Sequence, residues 1–173
     1  MKKHWFIAML LMGGCSSMSV DPESVILTRS INPPDTIYVR SFSTATGEWV
    51  STGEQYPEAF KQSQAASLTS HLIDALQQIA PTQAAAEPLP GQGLLVTGEF
   101  IKVDPGKGVS LTKVVVYDLE RFNKGPVAWF EASASGGLET GWEKTAMTTV
   151  DFLEAKIGRK LRAASRKGHR KKT

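Results

Sequence analysis

Leu94-Leu95-Val96-Thr97-Gly98-Glu99-Phe100-Ile101-Lys102-Val103-Asp104-Pro105-Gly106-Lys107-Gly108-Val109-Ser110-Leu111-Thr112-Lys113-Val114-Val115-Val116-Tyr117-Asp118-Leu119 is the stretch on which the fold turns. β-Branched and aromatic residues are dense on both sides of Asp104-Pro105-Gly106, whose proline and glycine set or permit the dihedrals of a tight turn. Strands are therefore predicted over Leu94 to Val103 and over Val109 to Leu119. Between them, Gly106-Lys107-Gly108-Val109-Ser110 has the glycines and lysine of a phosphate loop but not their spacing. It also joins strand to strand, where a phosphate loop joins strand to helix, so a hairpin is the reading. A second turn set, Asn123-Lys124-Gly125-Pro126, precedes a third β-prone run from Val127 to Ser133. The three runs compose an antiparallel meander, closed by Gly136 and Gly137.

Upstream, Thr36 to Ser43 alternates, with Ile37, Val39 and Ser41 on one side and Tyr38, Arg40 and Phe42 on the other, which predicts a first strand. Gly47 to Gln55 reads as a loop whose only large apolar group is Trp49. Pro57 opens a helix, since a first-turn residue has no use for the amide hydrogen it lacks. Phe60, Gln64, Leu68, Leu72, Leu76 and Ile79 then recur at three and four residues, with Ile73 beside them, until Pro81 ends the run. Thr82 to Gly93 reads as a connection. Downstream of the meander, Met147, Val150, Leu153, Ile157 and Leu161 have helical spacing within a segment from about Glu143 to Ala164. The order strand, helix, three strands, helix predicts an α+β fold: a mixed, mostly antiparallel four-stranded sheet with two amphipathic helices on one face.

The chain has 173 residues, 41% hydrophobic and 21% charged, which fits one globular domain and excludes global disorder. No repeat period is visible. The net charge of +3 conceals a split. Arg159, Lys160, Arg162, Arg166, Lys167, Arg170, Lys171 and Lys172 close the chain with no acid among them, so that without these and Lys2 and Lys3 the acids outnumber the bases. Four regions follow: a leader at 1–14, a flexible tether at 15–34, a single domain at 35–164 and a basic disordered tail at 165–173.

Lys2 and Lys3, the unbroken apolar run Trp5 to Met12, and Gly13-Gly14-Cys15 form the three parts of an export signal. The apolar run is too short to cross a bilayer as a helix. Met12-Gly13-Gly14-Cys15 resembles the lipobox of bacterial lipoproteins, with Met12 where leucine is commoner. That resemblance implies cleavage before Cys15 and attachment of acyl chains, palmitate among them, to its thiol and new amino terminus. It also implies, from Ser16 in place of aspartate, sorting to the periplasmic face of the outer membrane. Cys15 is the chain's one cysteine, so an internal disulfide is excluded and an anchoring role accounts for it.

Val96-Thr97-Gly98-Glu99-Phe100-Ile101-Lys102-Val103-Asp104-Pro105-Gly106 followed by Val114-Val115-Val116-Tyr117-Asp118, with Ile37-Tyr38-Val39-Arg40-Ser41-Phe42 ahead of them, is similar to a family of bacterial envelope lipoproteins catalogued only as a domain of unknown function. The resemblance covers about residues 30 to 160. The order of elements is also similar to the amino-terminal domain of the Tol translocation protein and to lipoproteins that activate peptidoglycan synthases. These likenesses imply a binding module and name no partner.

Candidate chemistry is sparse. His4 lies in the leader, His169 in the tail and His71 on the first helix, with no second His, Cys or acid at ligand spacing, so neither a metal nor another cofactor is expected. Ser133-Ala134-Ser135-Gly136-Gly137 lacks the leading glycine of a nucleophile elbow and reads as a strand end. Glu99, Asp104, Asp118, Glu120 and Glu131 lie on or beside strands, and a cell-wall or glycan hydrolase would need two of them, such as Glu99 and Glu131, to converge. The eight closing bases suit polyanions: lipid headgroups, acidic cell-wall polymers or an acidic envelope protein, or nucleic acid were the chain not exported. The expectation is a lipid-anchored, non-enzymatic binding or assembly module of the envelope.

Overall fold

The computed structural model of the chain describes residues 26–27, 31, 33–51, 53 and 55–169, with the backbone alone at 26–27 and 158–169. The leader, Cys15, most of the expected tether and Arg170, Lys171 and Lys172 lie outside the described residues.

The elements follow in the order β1 (Ile26–Leu27), β2 (Ile37–Val39), β3 (Glu48–Trp49), α1 (Glu58–Leu76), β4 (Thr82–Ala84), β5 (Leu94–Asp104), β6 (Val109–Asp118), a short 3-10 helix (Leu119–Lys124), β7 (Ala128–Ser135) and α2 (Leu138–His169). The fold is α+β, as expected, with one mixed sheet. The sheet has seven strands among the described residues, not four, in the order β1-β7-β6-β5-β2-β4 with β3 also on β5. The three additional strands are two or three residues long, too short to show alternation in a sequence. β4 falls in the expected connection, β3 in the expected loop and β1 in the expected tether.

The predicted meander is present as antiparallel ladders between β5 and β6 and between β6 and β7. The turn between β5 and β6 is held by Asp104, whose Oδ1 accepts the Lys107 amide at 3.0 Å. β2 lies parallel to both β4 and β5. The chain passes from β2 to β4 through α1, the crossover that parallel neighbours require.

Both helices cover one face. Leu68, Leu72 and Leu76 of α1 and Trp142, Val150, Leu153 and Ile157 of α2 join Ile37, Val96, Phe100, Val114, Val116 and Phe130 of the sheet in one buried cluster. Burial of each large aliphatic side chain there contributes roughly 1.5–3 kcal/mol. Trp142 is fully buried, its Nε1 donating to Gln64 Oε1 of α1 at 3.0 Å.

Several boundaries depart from expectation. The first strand stops at Val39, and Phe42 points into the core instead of lying opposite Ile37. Gly98 makes this possible, because a Cβ there would come within 2.4 Å of the Phe42 ring and 2.0 Å of the Lys113 carbonyl oxygen. Ile26 and Leu27 pair with Trp129 and Ala128, and Ile31 is only 2% exposed. The second helix begins five residues before Glu143, directly after Gly136 and Gly137, which both have positive φ. Its core face is set by Trp142, Ala146, Val150, Leu153 and Ile157, while Met147 is 39% exposed. The backbone of α2 is helical past Ala164 to His169, into the expected tail.

Candidate functional site

The face of the sheet opposite the helices carries the side chains that alternate with the core residues. The ladder registers set them in rows. Tyr38, Leu95 and Tyr117 are cross-strand neighbours, as are Thr97, Val115 and Trp129, and Glu99, Lys113 and Glu131. Leu95 is buried between the two tyrosine positions, while Tyr38, Tyr117, Val115 and Trp129 are half-buried. Phe122 of the 3-10 helix extends the first row, its ring centroid 5.0 Å from that of Tyr117.

Lys113 is the polar centre of this face. Its Nζ lies 3.4 Å from Glu99 Oε1 and 5.2 Å from the centroid of the Trp129 ring, an ion pair and a cation–π contact at once. Thr46 Oγ1 donates to Glu99 Oε2 at 2.9 Å. Trp129 thus adjoins the charged row, a composition suited to holding a partner surface. The arrangement does not favour glycoside cleavage. Glu99 and Glu131 sit two strands apart, about 10 Å at the backbone, with the lysine between them, and Glu99 is occupied by Lys113 and Thr46.

His71 lies on the other side of the molecule. Its Nε2 is 3.2 Å from Glu139 Oε2, and Ser67 Oγ donates to the same carboxylate at 3.0 and 3.1 Å, so three side chains stitch α1 to α2. Beside them a groove of about 250 Å³ is lined by His71, Asp74, Gln78, Glu143 and Met147. No group of three or more His, Cys, Asp or Glu among the described residues is placed to hold a metal ion.

At the start of α1, Glu58 accepts from Gln62 Nε2 at 2.7 Å and from Thr44 Oγ1 at 3.0 Å. These bonds, that to Gln62 first, and the nearby Lys61 hold its carboxyl below the usual carboxylate range, against a smaller opposing effect of desolvation.

Of the residues singled out in the sequence, Arg159, Lys160, Arg162, Arg166 and Lys167 fall on the last three turns of α2. Cys15, Arg170, Lys171 and Lys172 lie outside the described residues. Sequence reasoning missed the rows of the open face. Their signal was the second half of the alternation: Leu95, Thr97 and Glu99, and Lys113, Val115 and Tyr117, between the core positions of the same strands.

Fold and faces together define an α+β domain with a two-helix layer on one side of a mixed sheet and an aromatic, charged surface on the other. Among solved structures the chain is similar to the PelC dodecamer from Paraburkholderia phytofirmans in two crystal forms, at 14% identity and TM-scores of 0.44 and 0.43, over 72% of this chain and 88% and 87% of that one. It is also similar to an uncharacterized protein, at 10% identity and a TM-score of 0.43, over 71% of this chain and 96% of the other. No family model matches the sequence, and no curated protein does.

Proposed function

We propose that this chain is a lipoprotein of the bacterial envelope, anchored through acyl chains on Cys15 to the periplasmic face of the outer membrane, whose domain binds or assembles a partner and catalyses no reaction. The observation that carries the reading is the ordered leader: Lys2-Lys3, the apolar run Trp5 to Met12, and Gly13-Gly14 before the one cysteine. The open sheet face supports a binding role, since its aromatic rows and the Lys113 cluster offer contact area and charge without a catalytic pair. The partner expected is an envelope protein or an acidic cell-wall or lipid surface.

Intact-mass measurement of the chain extracted from membranes tests the anchor. The expected species starts at Cys15 and carries acyl chains, and a soluble chain retaining Met1 defeats the proposal. A photocrosslinker placed at Val115 tests the face. It should trap an envelope component in intact cells that the same group at Ser63 of α1 does not, and equal trapping at both positions removes the face from the reading. Loss of a cell-wall zymogram band in an E99Q/E131Q variant would favour a hydrolase instead.

A further inference from the structure

β1 is only two residues long, but its register gives the chain before it a direction. Ile26 pairs with Trp129 and Leu27 with Ala128, antiparallel, so each step back from Ile26 is a step forward along β7. β7 runs on from Phe130 to Ser135, and among the described residues no strand accompanies its outer side there. Unpaired backbone groups on such an edge are a template for a further strand.

Helix α2 walls this edge on one side. Lys144 Nζ bonds the Ser135 carbonyl at 2.8 Å, the Phe152 and Phe130 ring centroids are 4.6 Å apart, and Lys156 Nζ lies 5.7 Å from the Phe152 centroid. Spaced by multiples of four residues, Lys144, Phe152 and Lys156 share the face of the helix that is turned to β7. Among the described residues neither lysine has a carboxylate partner. Phe130, Ala132 and Ala134 are buried on the helix side of the strand, and Glu131 and Ser133 alternate with them on the open face.

The sequence ahead of Ile26, Asp21-Pro22-Glu23-Ser24-Val25, suits this setting. In the continued register Val25 falls opposite Phe130, Ser24 opposite Glu131, Glu23 opposite Ala132 and Pro22 opposite Ser133, and directly opposed residues share a face. Val25 is thereby assigned to the side of the Phe130 and Phe152 rings. Glu23, and Asp21 two residues earlier, fall on that same side, which Lys144 and Lys156 flank. Pro22 lacks an amide hydrogen and is tolerated as the first residue of an edge strand, which limits the addition to four residues.

We infer that Pro22 to Val25 continue β1 along the outer edge of β7, so that the anchor on Cys15 leaves the domain at the end of the sheet where β5 turns into β6. Asp21 is then level with Ala134, and the six residues from there to Cys15 span at most about 22 Å. Gly108 of the β5–β6 turn packs at this end against Gly137, whose amide nitrogen would be 2.6 Å from a Cβ on Gly108. The anchor turns this end toward the membrane and the 3-10 helix away from it. The pairing itself needs no acylation, and only the direction it gives the anchor rests on the proposed lipid attachment. A strand this short is held by its covalent link, at a millimolar effective concentration, and a second copy displaces it only when comparably concentrated.

The test uses the full chain carrying Cys15→Ser together with Ser24→Cys and Glu131→Cys, which the register sets opposite each other. At micromolar concentration their intrachain disulfide should form roughly tenfold faster than in a control with Ser24→Cys and Ser135→Cys, displaced four residues along the edge. Equal rates overturn the inference, and so does a disulfide found only between chains, which would give the edge to a second copy. In the Cys15→Ser chain without added cysteines, S24P/V25P should speed hydrogen exchange of the edge amides among Phe130 to Ser133 roughly tenfold with unchanged circular dichroism, and unchanged exchange overturns the pairing. Direction is a separate reading. In the acylated chain on vesicles, verified by mass, a dye at Lys107→Cys should be quenched by headgroup-level quenchers more than one at Glu120→Cys, and the reverse order overturns the orientation. An unacylated Cys15 in the wild-type chain ends the proposed anchoring, while the disulfide comparison stands by itself.

Discussion

Gly98 is the residue on which the centre of the sheet depends. With the Lys113 carbonyl oxygen 2.0 Å and the Phe42 ring 2.4 Å from where a Cβ would stand, Gly98→Ala forces either the β5–β6 ladder or Phe42 to move. A loss of about 3 kcal/mol is expected in urea unfolding, at the upper end of overpacking costs. Trp142→Phe removes the donor to Gln64 Oε1 and part of a fully buried ring, and should cost about 2 kcal/mol in the same measurement. Glu58 supplies a pH dependence. Its folded carboxyl is held below the ordinary value, so its contribution to stability is complete above about pH 4.5 and is lost as pH falls through the lowered folded value. Wild type should therefore exceed Glu58→Gln in melting temperature at neutral pH, and the two should converge in acid.

At the scale of the element, α2 shows what contact geometry adds to composition. Leu153→Ala, at a fully buried position facing the sheet, should cost about 3 kcal/mol, whereas Glu139→Ala, although it severs the links to Ser67 and His71, should cost less than about 1 kcal/mol because that carboxylate is mostly exposed. Denaturation of the two variants side by side checks the contrast. The meander and α1 were legible because each is long and has turn residues or proline at its ends: Asp104-Pro105-Gly106, Asn123-Lys124-Gly125-Pro126, Pro57 and Pro81. The start of α2 was not, since Leu138 to Gly141 holds a glycine and a β-branched threonine that weaken the helical signal, and Trp142 owes its importance to Gln64, 78 residues away. Phe42 was assigned to the wrong side for a similar reason. Its place depends on a gap in another strand, and a bulge between Phe100 and Lys102 likewise changes which residues of β5 face inward, bringing Val103 into the core. The rows of the open face depend on register across three strands, which alternation within any one of them does not specify.

At the scale of the whole molecule, Cys15→Ser should move the protein from the membrane to the soluble fraction after cell breakage if acylation is its main anchor, with immunoblotting of the two fractions as the measurement. A further consequence comes from the uneven lengths of β1 and β7. Among the described residues β1 accompanies only Ala128 and Trp129, which leaves the outer backbone groups of Phe130 to Ser135 without a neighbouring strand, guarded by the charge of Glu131 and by Lys144, whose Nζ bonds the Ser135 carbonyl at 2.8 Å. Such an edge is where two overproduced copies would zip together and precipitate, and a lysine at Ser133 should raise the yield of dispersed protein without altering its melting point.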